Sequence, residues 1–163
     1  MSTAFGQSVT DDAASAVAAK KGLIVFQMAK NVDWPKQHKE GDFIIGIYGD
    51  EKIYKYISSK YSSKLVGSQQ VKVVRYISVN EISECHMLYV SSSKSGYIES
   101  IAKKINHKKT IIITNKSGLI NEGPTINIVP VNGSLKWELN LTKAQKYNFI
   151  IGEKLKKYAY SII

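Results

Sequence analysis

Phe43-Ile44-Ile45-Gly46-Ile47-Tyr48 is an almost wholly apolar run that stops at Gly49-Asp50 and passes directly into Glu51-Lys52-Ile53-Tyr54-Lys55-Tyr56-Ile57. The first half has the length and composition of a strand covered on both faces. In the second half Ile53, Tyr54 and Ile57 recur at helical spacing among lysines, with Asp50 placed to cap the first turn. A buried strand, a tight turn and a helix make half of a right-handed crossover, so a parallel strand is expected after the helix. The β-branched stretch Val71–Ile77 supplies it.

Outward from this unit the rhythm repeats. Val79–Glu84 reads as a short turn or helix, His86–Val90 as a third strand and Ser91–Ser95 as a polar loop. Tyr97–Ile105 reads as a helix with Ile98, Ile101, Ala102 and Ile105 on one face, and Thr110–Thr114 as a fourth strand. Thr125–Val131 and Leu135–Leu139 then flank Asn132-Gly133, a strong hairpin signal because both residues tolerate positive φ. Two helices close the chain: Thr142–Asn148, with Thr142 as its cap, and about Gly152–Ser161. Upstream, a helix is expected from Asp11, carrying Leu23, Phe26, Ala29 and Lys30 with Ile24 and Val25, and ending at Trp34-Pro35. The expected architecture is a single α/β domain, residues 11–163. It has about six strands in a mostly parallel sheet, a C-terminal antiparallel hairpin and helices on both faces.

Residues 1–10 are expected to be a flexible start. Ala4 and Gly6 stand where a secretory cleavage before Gln7 would place small residues, so this segment reads as a signal-peptide remnant and the protein as exported. At 163 residues the chain can bury a core without a disulfide or metal. The longest apolar runs, such as Ile111-Ile112-Ile113, are far shorter than the ~20 residues needed to span a bilayer.

A net charge of +10 invites an anionic partner, but 22 of the 23 basic residues are lysine and Arg75 is the single arginine. Base readout and bidentate phosphate clamps depend mainly on guanidinium forks, so dispersed surface lysine is the preferred reading, without a specific nucleic-acid site. Cys85 is the single cysteine, which excludes an intrachain disulfide and a multi-cysteine metal site. In Cys85-His86 the side chains should point to opposite faces of a strand, and a buried structural thiol is the expectation. No phosphate-loop, dinucleotide, nucleophile-elbow or zinc-helix motif is present. Gly46–Asp50 faintly resembles a phosphate loop, but capping by Asp50 is the better reading. Trp34 is expected against the sheet edge.

Open parallel sheets bind ligands beyond the carboxyl ends of their strands. Here those ends are Gly49 and Asp50, Ser78, Ser91 and Ser92 within a serine run, and Thr114, Asn115, Lys116 and Ser117. Hydroxyls, amides and an ammonium suit hydrogen bonding to a small polar molecule more than bond cleavage. Neither a catalytic residue, a metal site nor a cofactor is assigned.

Several segments together resemble the YfiR-like periplasmic proteins. They are Asn31-Val32-Asp33-Trp34-Pro35, Phe43–Asp50, Glu84-Cys85-His86-Met87-Leu88-Tyr89-Val90-Ser91, and Gly123-Pro124-Thr125-Ile126-Asn127-Ile128 running through Gly133–Asn140 to Leu155–Ala159. The resemblance covers about Ala16–Ala159. It implies an exported, non-catalytic regulatory domain that controls an inner-membrane signalling partner, such as a diguanylate cyclase of cyclic-di-GMP signalling or a sensor kinase. It also implies a homodimer and a small ligand. A periplasmic solute-binding protein without a signalling partner is the alternative. Two departures stand out: the paired cysteines of the redox-controlled cyclase repressor are reduced to Cys85, and a Gly-Gly turn reads Glu122-Gly123-Pro124.

Overall fold

A computed structural model describes residues 2–163, with side chains from Asp11 onward. In chain order the elements are α1 (Ser2–Lys30), β1 (Val32–Asp33), β2 (Phe43–Tyr48), α2 (Glu51–Tyr61), β3 (Leu65–Val66), β4 (Gln69–Tyr76), β5 (Met87–Val90), α3 (Ile98–Lys104), β6 (Ile111–Thr114), β7 (Ile126–Val131), β8 (Ser134–Leu139), α4 (Leu141–Lys146), β9 (Ile150–Ile151), α5 (Glu153–Lys157) and β10 (Ser161–Ile162).

Eight strands form one sheet in the order β10-β8-β7-β6-β5-β2-β4-β3. From β4 through β2, β5 and β6 to β7 every pairing is parallel. The chain steps from β2 to β4 on one side, then reverses to β5 on the other. A topological switch point therefore lies between β2 and β5, where Tyr48 pairs with Val90. Asn132 (φ 48°) and Gly133 (φ 77°) turn β7 into antiparallel β8, as the Asn-Gly signal predicts.

Strand alternation sorts the core into two layers. Ile45, Ile47, Met87, Tyr89, Ile111 and Ile113 face the α1–α2 side, where they meet Val25, Met28, Ile53 and Ile57. Tyr48, Leu88, Val90 and Ile112 face the other side and pack with Ile98 and Ile101 of α3. The six expected strands, the hairpin and helices on both faces are all present. Two-residue edge strands, β3 and β10, add to the six, and a separate two-stranded sheet pairs β1 with β9.

Several local expectations change. The first helix begins at Ser2 instead of Asp11 and ends at Lys30 instead of running to Pro35. The side chains of residues 1–10 lie outside those described, and with them the cleavage-site reading of Ala4 and Gly6. Leu23 is exposed, because α1 buries Gly22, Val25, Phe26, Met28 and Ala29. Trp34 packs over the start of central β2 and not a sheet edge: its ring meets Phe43 and Phe149 edge-on, and Nε1 donates to the Ala29 carbonyl at 3.0 Å. Asn140, not Thr142, caps α4, its Oδ1 accepting from the Lys143 amide at 2.8 Å. The last helix is short, and Ser161, expected at its end, instead forms a strand with Ile162 that pairs parallel with β8.

Candidate functional site

The carboxyl end of β2 turns sharply at Gly49, whose φ of +87° is a conformation that glycine adopts without steric penalty. A Cβ there would lie 2.3 Å from Lys94 Cγ and 2.7 Å from Ser91 Oγ, so the loop after β5 packs directly on this glycine. Asp50 caps α2, its Oδ1 accepting from the Ile53 amide at 2.9 Å, which commits that carboxylate to the turn. Ser91 Oγ donates to the Gly49 carbonyl at 3.0 Å and lies 2.7 Å from Ser93 Oγ. Above them the Lys94 ammonium lies 5.6 Å from the Tyr48 ring centroid and 5.9 Å from that of Tyr97. Such placement favours a cation on an aromatic face.

One strand further along, Asn127 organises the loop after β6. Its Oδ1 accepts from Thr114 Oγ1 at 2.7 Å and from the Lys116 amide at 3.2 Å. Its Nδ2 donates to the Lys116 carbonyl at 2.9 Å and to Glu138 Oε2 at 2.8 Å. Both donors and both lone pairs of the amide are used, and the partners fix its orientation. Lys116 Nζ reaches Ser95 Oγ at 3.5 Å, bridging the β6 loop to the β5 loop. Asn115 Oδ1 is buried without a hydrogen-bond partner among the described residues.

The fold thus brings Gly49, Asp50, Ser91 and Ser92 together at the switch point, with Thr114, Asn115, Lys116 and Ser117 on the neighbouring strand end. Ser92 and Ser117 are exposed. Ser78 lies on the other flank of β2, two residues beyond the Tyr48–Tyr76 pair of β2 and β4; its carbonyl accepts from the Glu81 amide, and Glu81 Oε2 accepts from the Ile77 amide at 3.0 Å. Lys94, Tyr97, Asn127 and Glu138 join the site without having been singled out from sequence. Asn127 carried a signal, a polar residue inside the apolar run Thr125–Val131.

At the opposite end of the sheet, Cys85 and His86 do point to opposite faces. Cys85 joins the α3-side core, and burial pushes its thiol up to about 12. The His86 ring stacks on Phe43 at 4.4 Å. Its Nδ1 accepts from the Ile44 amide at 3.0 Å while Nε2 donates to the His38 carbonyl at 2.7 Å, an arrangement that defines the neutral tautomer. Burial holds the pKa of His86 below the usual value, consistent with that state. The single arginine, Arg75, reaches Glu51 at 3.5 Å, so its guanidinium is engaged within the chain. Among the described residues no group of three or more His, Cys, Asp or Glu is placed to hold a metal.

No curated protein matches the chain. Among solved structures, the ABC domain from Streptococcus pneumonia in complex with L-Trp is similar at a TM-score of 0.52 and 16% identity, over 74% of this chain and 55% of that one. This chain therefore spans little more than half the length of that protein, and the likeness is one of fold. The YfiR/HmsC-like family model matches residues 18–159, nearly the whole sheet and its helices, and the chain belongs to that family.

Proposed function

We propose that this protein is an exported, non-catalytic regulatory domain that controls a membrane signalling partner, such as a diguanylate cyclase or sensor kinase, by binding it. The family match over residues 18–159 carries this reading. No described helix is long and apolar enough to cross a membrane. A small polar ligand tunes the interaction at the carboxyl strand ends. Support for that part comes from the Lys94 and Lys116 ammoniums, the Ser91 and Ser93 hydroxyls and the unpartnered Asn115 Oδ1. Such a ligand changes output by binding one partner-competent state better than the other. The protein acts as a homodimer, with no specific nucleic-acid partner.

Affinity capture from envelope membranes in mild detergent tests the proposal. Enrichment of one membrane signalling protein is expected, and recovery of no membrane protein overturns it. The alternative is a solute-binding protein without a signalling partner, favoured by the fold-level likeness to a domain described in complex with L-Trp. In that case a thermal-shift screen of nucleotides, aromatic amino acids and vitamins yields a stabilising ligand while capture yields no partner.

A further inference from the structure

A cavity of about 190 Å³ opens between α1 and α5, over the Trp137 indole of β8. Leu23, Ile24 and Met28 line one wall, and Leu155 and Tyr158 the other. Leu23 is 44% exposed and Tyr158 54% exposed, so large apolar groups stand at its mouth.

The polar atoms of the walls are already engaged. The Trp137 indole Nε1 donates to the Leu155 carbonyl at 2.9 Å, Asn31 Nδ2 donates to the Gln27 carbonyl at 2.7 Å, and the Asn31 carbonyl accepts from the Gly152 amide at 2.7 Å. Gln27 and Lys154, the other polar lining residues, are exposed and belong to the rim. A sugar, a nucleotide or an amino-acid zwitterion would give up water inside without a hydrogen bond in return. The cavity is also smaller than the roughly 300 Å³ at which pockets for drug-sized ligands begin, a size that suits one slender chain.

The rim supplies charge. Lys154 lines it, and the Lys157 ammonium stands 5.4 Å from the centroid of the Tyr158 ring at the same mouth. Neither lysine forms an ion pair among the described residues, and Glu153, the single carboxylate of α5, is taken by Lys156. An apolar chamber with two free ammoniums at its mouth complements a hydrocarbon tail that ends in an anionic head. A second copy of this chain, at net charge +10, would instead bring more positive charge to the rim.

We infer that this cavity binds a medium-chain fatty carboxylate, with Leu23, Ile24, Leu155 and Tyr158 enclosing the alkyl chain over Trp137. Lys154 and Lys157 hold the carboxylate at the rim. The cavity shares no lining residue with the strand-end loops, so its failure as a site would leave the regulatory reading untouched.

The test is an NMR titration of the whole chain with hexanoate, octanoate and decanoate, each below its micelle-forming concentration, read from the indole N–H signal of Trp137. Saturable shifts are expected, with affinity rising about three- to fourfold for each added methylene until the cavity is full. Octanol and octyltrimethylammonium should bind more weakly than octanoate. The Lys154→Gln/Lys157→Gln double variant should lose about fivefold in octanoate affinity and keep its affinity for octanol. Both positions are exposed, so the melting temperature of that variant should hold. Leu23→Trp, at another exposed position, fills the mouth and should abolish binding of both. Shifts that do not saturate, equal affinity for the three head groups, or binding that survives Leu23→Trp overturn the inference. A response to phosphatidylglycerol vesicles without one to free octanoate also overturns it, and assigns the patch to a membrane surface instead.

Discussion

Asn127 holds together three pieces of chain, the end of β6, the loop at Lys116 and the strand β8 through Glu138. Asn127→Ala would strand Thr114 Oγ1, which is wholly buried, and leave the Lys116 amide and carbonyl without their partner. The expected loss is about 1–3 kcal/mol for each polar group left buried without a partner, read from urea denaturation. A larger effect than that of a surface Asn→Ala control, such as Asn121→Ala, marks Asn127 as the organiser of the β6 loop. His38 and His86 give a second residue-scale prediction. Burial is the leading cause that lowers the pKa of each, and the groups facing them are Trp34, Phe43, Gln69, Glu84, Lys109 and Phe149. With folded values below the unfolded value of ~6.5, the unfolded chain takes up protons first as pH falls. Stability is therefore full above that value and declines as pH drops through it, until the folded values are reached. Protonation would also remove the acceptor that His86 Nδ1 offers to the Ile44 amide. Urea midpoints at neutral and mildly acidic pH check this, and His86→Gln should flatten the profile.

Among the elements, the short ones were hardest to read from sequence, for a physical reason. Phe43–Tyr48 and Glu51–Tyr61 are legible because each repeats its period long enough to name it. A two-residue strand such as β1, β3, β9 or β10 has no period, and only its tertiary partner makes it a strand. The same holds for Ser161–Ile162, where Lys154–Lys157 ahead of it is helical and suggests continuation, while β8 offers an open edge that captures the chain end. Gly152 shows how closely such junctions are packed. Its amide donates to the Asn31 carbonyl at 2.7 Å, and an added Cβ would lie 2.6 Å from that same oxygen. Since the obstacle is backbone, Gly152→Ala should destabilise the protein by about 1–3 kcal/mol. Hydrogen exchange at Val32 and Ile151 should rise in that variant, because the β1–β9 pairing has to shift.

For the molecule as a whole, the strand order was only partly legible. Alternating strands and helices imply a parallel sheet, but the reversal after β4 that creates the switch point follows from which strand docks on which side of β2. That choice depends on long-range packing of two apolar layers and leaves no local signature. The candidate loops were found because strand ends are readable. Asn127 and Glu138 were missed because they reach the site across the sheet from strands assigned to the hairpin. The +10 charge, by contrast, sharpened once the fold was known: Arg75 is engaged by Glu51, and Lys39, Lys103 and Lys109 are held by Asp33, Glu99 and Glu84. Cys85 carries a further consequence at this scale. Its side chain is buried against β2 and α3, and its thiolate is scarce at neutral pH, so attack by a disulfide reagent must wait until the sheet opens. With no other cysteine in the chain, the labelling rate under native conditions should fall in proportion to the opening equilibrium and rise with added urea. Fast, urea-independent labelling would mean that the α3 face opens locally. The one sulfhydryl is thus a clock wound by the fold itself, able to time how often the core comes apart without any probe being introduced.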